Sequence, residues 1–250
     1  MERRPRLSPQ LYKALESLRA KERRILVIGD LHCPFCKTGY LQHCIDTYDR
    51  FNCNQVLFIG DLLDNAFASF HETPAELPAG QDELDFAIAK VQEWYEVFPI
   101  ATIITGNHDR IIARKLVRAG VPQKWLKSYN EVLGTPTWDW VERIVFDGVQ
   151  YLHGEGGTAE FDGVQYVHGE GGTARTKAKN DMQSTVQGHI HTQCYVEYNS
   201  GSKIVFSMQI GCGVDRDSLA MSYAKAFKSQ QIACGVVIGG HTAINCLMPL

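Results

Sequence analysis

No stretch of this 250-residue sequence is apolar for long enough to span a bilayer, which excludes a helical membrane anchor from the reading. The arginines of the opening MERRPRLSPQ are followed by no apolar core, so the segment does not read as an export signal. An excess of either charge is missing as well. With 25 Lys and Arg against 28 Asp and Glu, the formal charge is −3, and no whole-chain basic field marks a nucleic-acid binder. Phosphate chemistry is untouched by that absence, because a metal pair brings positive charge of its own. Low-complexity tracts are lacking too. At 44% hydrophobic and 21% charged residues the chain can bury one substantial core. Cysteine is not scarce: eight are present. In a chain of this size without an export signal, they read as reduced thiols packed as small apolar groups, and the expected compartment is the cytoplasm.

Residues 1–23 read as a basic arm with an amphipathic helix, capped at Ser8-Pro9 and carrying Leu11, Leu15 and Leu18 on one face. Residues 24–250 read as a single domain. Ile25 to Ile28 is a short apolar run closed by Gly29-Asp30, the pattern of a buried strand that ends in a loop. Val56 to Ile59 runs into Gly60-Asp61 in the same way, and Ile100 to Thr105 into Gly106-Asn107-His108-Asp109. A helical stretch from about Asp82 to Phe98 lies between the last two. Strand, polar loop and helix in repetition predict an α/β layout with parallel pairing, whose functional groups gather beyond the carboxyl ends of the strands. The second half is richer in strands. Arg143–Phe146 and Val149–Leu152 predict a hairpin around Asp147-Gly148, and further strands are expected at Thr185–Gln187, Lys203–Ile210 and Gly235–Ile238.

Residues 146–160 (FDGVQYLHGEGGTAE) are followed at once by residues 161–175 (FDGVQYVHGEGGTAR). The two units differ only at Leu152/Val167 and Glu160/Arg175. Two copies do not make a solenoid, so this is a local tandem duplication.

The metal-capable residues beyond the expected strand ends are Asp30 and His32, Asp61 with Asp64, Asn107-His108-Asp109, a His-Gly pair, and His189 with His191. Carboxylate, imidazole and amide oxygen together suit divalent Mn, Fe or Zn better than a thiolate site would. Each element alone is weak, since a strand-end Asp is usually a cap or turn former. Their joint order carries the weight.

The series Gly29-Asp30-Leu31-His32, Gly60-Asp61-Leu62-Leu63-Asp64, Gly106-Asn107-His108-Asp109, His-Gly and Gly188-His189-Ile190-His191 resembles the calcineurin-like metallophosphoesterases, with all five motifs in the family's order. The resemblance implies an α/β (mixed α+β) four-layer fold, in which two mixed β-sheets form a sandwich flanked by helices. That differs from the simple parallel sheet the strands alone suggest. It also implies that Asp30, His32 and His191 hold one divalent metal, that Asn107, His189 and a His-Gly histidine hold a second, and that Asp61 bridges them. Manganese is the expected metal, with Fe, Zn, Ni or Co as alternatives. His108 is then the catalytic residue at the leaving-group oxygen, with Asp64 orienting it. Two histidines compete for one slot. A doubled flexible loop costs only about 0.6 kcal/mol, so closure barely separates them. His168, whose Gly-rich exit leads directly into the helix-like Thr173–Met182, is preferred, and His153 is the alternative.

Asn65 stands where protein Ser/Thr phosphatases of this superfamily carry a phosphate-clamping arginine, which favours a phosphodiesterase or nuclease-like enzyme acting through activated water over a phosphomonoesterase. The expected partner is a phosphoester substrate, a nucleotide or nucleic acid included, with no membrane and an oligomeric state left open. Asn107 and Arg110 are candidate substrate contacts; Arg110, Arg114 and Arg118 share a helical face that is either solvated or a guide for a polyanion. Two rivals belong to other classes. Cys33-Pro34-Phe35-Cys36 after a strand fits a thioredoxin-like thiol oxidoreductase. A non-catalytic protein-binding scaffold of the same fold would be expected to have lost ligands, and here every slot is filled.

Overall fold

Alternation along the first strand sets the layers. In β1 (Arg24–Ile28), Leu26 and Ile28 point to one side and Ile25 and Val27 to the other, and all four are buried. In β2 (Gln55–Phe58), Val56 and Phe58 go with the first set and Leu57 with the second. A strand buried on both faces needs cover on both sides. Helices α1 (Tyr40–Phe51) and α2 (Gly80–Val97) cover the first face, where Tyr40, Cys44, Val91 and Trp94 pack onto Leu26, Ile28 and Phe58. A second sheet covers the other, bringing Val149, Tyr151, Val186, Phe206 and Met208 against Ile25, Val27, Leu57 and Ile59. Fully burying each of these large side chains contributes roughly 1.5–3 kcal/mol.

The computed structural model describes residues 22–68, 79–154, 172–215 and 229–249. Among these, β3 (Thr102–Ile104) and β4 (Asp139–Val141) extend the first sheet in parallel, while β10 (Ala233–Ile238) and β11 (Thr242–Leu247) close its other side antiparallel. Its order is β11-β10-β1-β2-β3-β4. The second sheet joins β5 (Arg143–Phe146), β6 (Val149–Leu152), β7 (Thr185–Gln187), β8 (Cys194–Ser200) and β9 (Ile204–Ile210) in the order β5-β6-β7-β9-β8. Both sheets are mixed, so the parallel layout read from the strand grammar alone gives way to the sandwich implied by the resemblance. Short helices α3 (Ile111–Arg118) and α4 (Tyr129–Leu133) lie between β3 and β4. On the far side α5 (Ala174–Asp181) buries Ala178 and packs against β7 and β9.

The β5–β6 hairpin forms as expected. Asp147 (φ 50°) and Gly148 (φ 77°) supply the paired positive φ angles that a two-residue turn of this hand requires. The arm and helix expected at the N-terminus fall, apart from Glu22 and Arg23, outside the described residues, as do residues 155–171 of the duplicated unit. The first copy thus contributes the hairpin and His153-Gly154. The end of the second copy contributes the start of α5, where Thr173 accepts a hydrogen bond from the Thr176 amide. Among the described residues, no helix is long and apolar enough to cross a membrane.

Candidate metal centre

Five parallel strands drawn from both sheets end at one cleft. β1 runs into Asp30 and His32, β2 into Asp61 and Asp64, β3 into Asn107 and His108, β6 into His153, and β7 into His189 and His191. The turns that follow are sharp. His32, Asp61, Asn65 and His189 all adopt positive φ, between 46° and 69°, a region non-glycine residues enter only where surroundings impose it. Close approach explains two motif glycines. A methyl group on Gly106 would collide with Asp61 Oδ1, and one on Gly188 with Asp30 Oδ1.

Two clusters meet at Asp61. In the first, Asp30 Oδ2 lies 3.0 Å from His191 Nε2, and His191 Nε2 lies 3.3 Å from His32 Nε2. In the second, His153 Nε2 lies 2.9 Å from Asn107 Oδ1 and 3.0 Å from Asp61 Oδ2, with His189 completing the group. The same Asp61 Oδ2 is 3.7 Å from His32 Nε2, so one carboxylate oxygen faces both clusters. Ligands bound at about 2.1 Å stand about 3.0 Å apart at right angles and about 3.4 Å apart in a tetrahedron. The observed separations fall around those edges.

Further observations fit divalent cations to these residues. Asp30 Oδ1 is fully buried and has no hydrogen-bond partner, an expensive state for a carboxylate oxygen that a cation relieves. Burial opposes charge on the His153 ring, yet the Asp61 and Asp30 carboxylates overcome it and raise its pKa to about 10. The cleft therefore demands positive charge. Asp61 is itself held well below the usual carboxylate range: burial pushes it up, but His153 and then His108 and His32 outweigh that. His189 is driven down to about 4, by burial first and by the charge on His153 next. Donor tautomers are fixed from behind. His32 Nδ1 is 2.6 Å from Asp64 Oδ1, and His153 Nδ1 is 3.0 Å from the Ile59 carbonyl, which leaves both Nε2 atoms facing the cleft.

A third group, His32, Asp64 and His108, also brings its polar atoms together. It is a hydrogen-bonded assembly. Asp64 was expected to orient His108 through its carboxylate, but that carboxylate is taken by His32; His108 Nδ1 meets the Asp64 main-chain carbonyl instead, at 2.7 Å, with the carboxylate at 3.6 Å. Burial disfavours the charged His108 ring, but Asp61 and Asp64 prevail and raise its pKa. The His108 amide donates to Asp61 Oδ1 at 2.8 Å, which ties the two loops together.

The structure brings Asp30, His32, Asp61, Asp64, Asn107, His108, His189 and His191 into one cleft. His168, preferred from sequence as the histidine of the duplicated unit, lies outside the described residues. The position beside Asp61 and Asn107 is filled by His153, fully buried under Gly60. Arg110, a candidate substrate contact, instead donates from Nη2 to the Thr105 carbonyl at 2.7 Å. Asn65 is turned inward and donates to the His108 carbonyl at 3.0 Å.

Three buried residues have organising roles, one of them inside the Gly106–Asp109 motif and two with no sequence signal of their own. The Asp109 carboxylate accepts from the amides of Leu63 and Gly106, at 2.9 and 2.8 Å, stitching the β2 and β3 loops. Burial together with Asp61 raises its pKa to about 6. Tyr40 Oη accepts from the Gly29 amide and donates to the Ala233 carbonyl, bracing the turn before Asp30. Glu83 accepts from the Ala66 and Phe67 amides at 2.7 and 3.1 Å, fixing the chain beyond Asp64. Cys33 and Cys36 have their sulfurs 3.2 Å apart. Burial and the neighbouring Cys36 push the Cys33 thiol well above its usual range, the reverse of what a redox nucleophile needs.

The calcineurin-like phosphoesterase family model matches residues 23–244. The chain belongs to that family, and the class it defines is metal-dependent hydrolysis of phosphoesters. No curated protein matches it in sequence. Solved structures similar to it include vacuolar protein sorting 29 from Cryptosporidium parvum, at 12% identity and a TM-score of 0.46, covering 91% of this chain and 97% of that one. The phosphoesterase YfcE from E. coli has 10% identity and a TM-score of 0.40, with 85% and 87% covered. Nuclease MPE from Pseudomonas putida has 16% identity and a TM-score of 0.37, with 89% and 87% covered.

Proposed function

We propose that this protein hydrolyses phosphodiesters at a centre of two divalent cations, manganese in preference. Asp30, His32 and His191 would hold one cation and Asn107, His153 and His189 the other, with the Asp61 carboxylate available to both. His153 takes the place expected of His168. The observation that carries this is the position of Asp61 Oδ2, which faces His32 on one side and His153 on the other.

Two such cations supply Lewis-acid polarisation of the phosphoryl group and a nucleophile from water at neutral pH. The chain supplies the rest. Buried carboxylates of Asp30 and Asp61 offset cationic charge and fix where it sits. His108, its Nδ1 anchored on the Asp64 carbonyl, presents the rest of its ring to the cleft and donates a proton to the leaving oxygen. Asn107 shares its amide oxygen with the second group and can meet the phosphate through the same side chain. Support for a diester over a monoester comes from Asn65. A monoester dianion calls for a guanidinium clamp, and here that position is committed to the His108 carbonyl.

Purified protein assayed on bis-p-nitrophenyl phosphate and on p-nitrophenyl phosphate tests this directly. The diester is expected to turn over faster, to stop with chelator and to recover with Mn. Turnover indifferent to chelator, or faster monoester hydrolysis, contradicts the proposal.

A further inference from the structure

Between Asp109 and Tyr129 the chain makes an excursion that begins and ends at the catalytic loop. Residues 110–128 leave as α3, turn through a single 3-10 turn at Gln123–Trp125, and return to Tyr129, whose hydroxyl donates to the Asp109 carbonyl at 3.1 Å. Its composition is unlike the remainder. Arg110, Arg114, Lys115, Arg118, Lys124 and Lys127 all fall within these nineteen residues, and no Asp or Glu does; the rest of the chain holds nineteen basic against twenty-eight acidic residues. The excursion is also poorly covered. α3 buries only Ile111, while Val117 is 51% exposed and Trp125 is 81% exposed beside Lys124. An indole left in solvent among cations, on an excursion rooted one residue from His108, is neither a packed core element nor an ordinary solvated face.

We infer that this lobe binds single-stranded nucleic acid and feeds its phosphodiester backbone to the cleft. Cationic side chains interleaved with an exposed aromatic are the combination that grips a single strand: the cations follow the phosphates, and the indole stacks on an unpaired base. α3 is about 12 Å long, room for about three phosphates at single-strand spacing. An acidic protein would use the charge but leave the indole without a role. The inference rests on the phosphodiesterase reading of the cleft for its purpose, though not for its binding.

The test uses the Mn-loaded full chain, the variant Trp125→Ala and the triple variant Arg114→Ala/Lys124→Ala/Lys127→Ala, all at positions outside the cleft. Fluorescence anisotropy with a labelled single-stranded oligodeoxynucleotide carrying hydrolysis-resistant phosphorothioate linkages is compared with turnover of bis-p-nitrophenyl phosphate and of the unmodified oligonucleotide. Either variant is expected to weaken oligonucleotide binding about ten-fold, while small-diester kcat/KM stays within about two-fold. The triple variant should also flatten the salt dependence, by about 0.7 in log–log slope for each phosphate that is no longer neutralised. Oligonucleotide binding unchanged in both variants overturns the inference. So does a loss matched on the small diester, a lobe that instead binds polyglutamate as tightly, or a dimer in the parent chain that Trp125→Ala dissolves. If the parent chain turns over the small diester without binding the oligonucleotide, the lobe reading fails and the cleft reading stands. If it binds through the lobe but hydrolyses neither substrate, the cleft reading fails and the lobe reading stands.

Discussion

Around Asp61, three carboxylates and five imidazoles converge within a buried cleft, whereas a few residues away six cationic side chains and an indole belong to the Arg110–Ser128 lobe. The two regions treat charge in opposite ways. In the cleft the His32, His108 and His153 rings are held from behind by a carboxylate or a main-chain carbonyl, because chemistry demands donors fixed to fractions of an ångström. On the lobe the charges ride on long side chains, which suits a substrate whose backbone differs in path from one molecule to the next. The contrast teaches where precision is worth burying charge and where it is not.

Substitutions in the cleft should therefore act on turnover and those on the lobe on substrate grip. The largest effect is expected from Asp61→Asn, which removes the shared ligand charge and should abolish diester hydrolysis and strip metal content, read by elemental analysis. His153→Ala comes next. It should lose metal and most activity while His168→Ala retains most, and the reverse result would move the ligand to the second copy. His108→Ala should slow turnover by about 10²–10⁴-fold, the range for a lost general acid, with metal content preserved. Asp64→Asn, which loosens the His32 ring, should cost about 10–100-fold in metal affinity or activity. The smallest effect belongs to removal of residues 155–169. That deletion joins Gly154 to Glu170 and restores one copy of the unit, so thermal melting and small-diester turnover should both stay close to those of the parent chain.

How much of this was legible depends on how local each signal is. The strand-end motifs were readable because ligand, turn and glycine lie within three or four residues: Gly188 and His189 announce themselves together. The β5–β6 hairpin was readable because Asp147-Gly148 fixes both its turn and its register. β4, β8 and β11 carry little local signal, since short or half-exposed strands such as Cys194–Ser200 gain their identity from the partner they pair with. The mixed pairing of both sheets was invisible for the same reason, and only the resemblance supplied it. Tyr40 and Glu83 carry no motif, and Asp109 stands in the Gly106–Asp109 motif only as a metal-capable residue; their roles exist only once Gly29, Ala66 and Leu63 are brought to them. His153 and His168 have almost the same neighbours in sequence, so their separation was beyond any local argument. It took the β6–β7 pairing, which aligns Leu152 with Gln187, to bring one of them under Gly60.

Titration of metal-free protein with Mn, following bound equivalents and diester hydrolysis in the same samples, bears most directly on the bridging role of Asp61. Two equivalents should bind, full turnover should require the second, and Asp61→Asn should weaken both. Saturation of activity at one equivalent, or two equivalents bound undisturbed in Asp61→Asn, would contradict it.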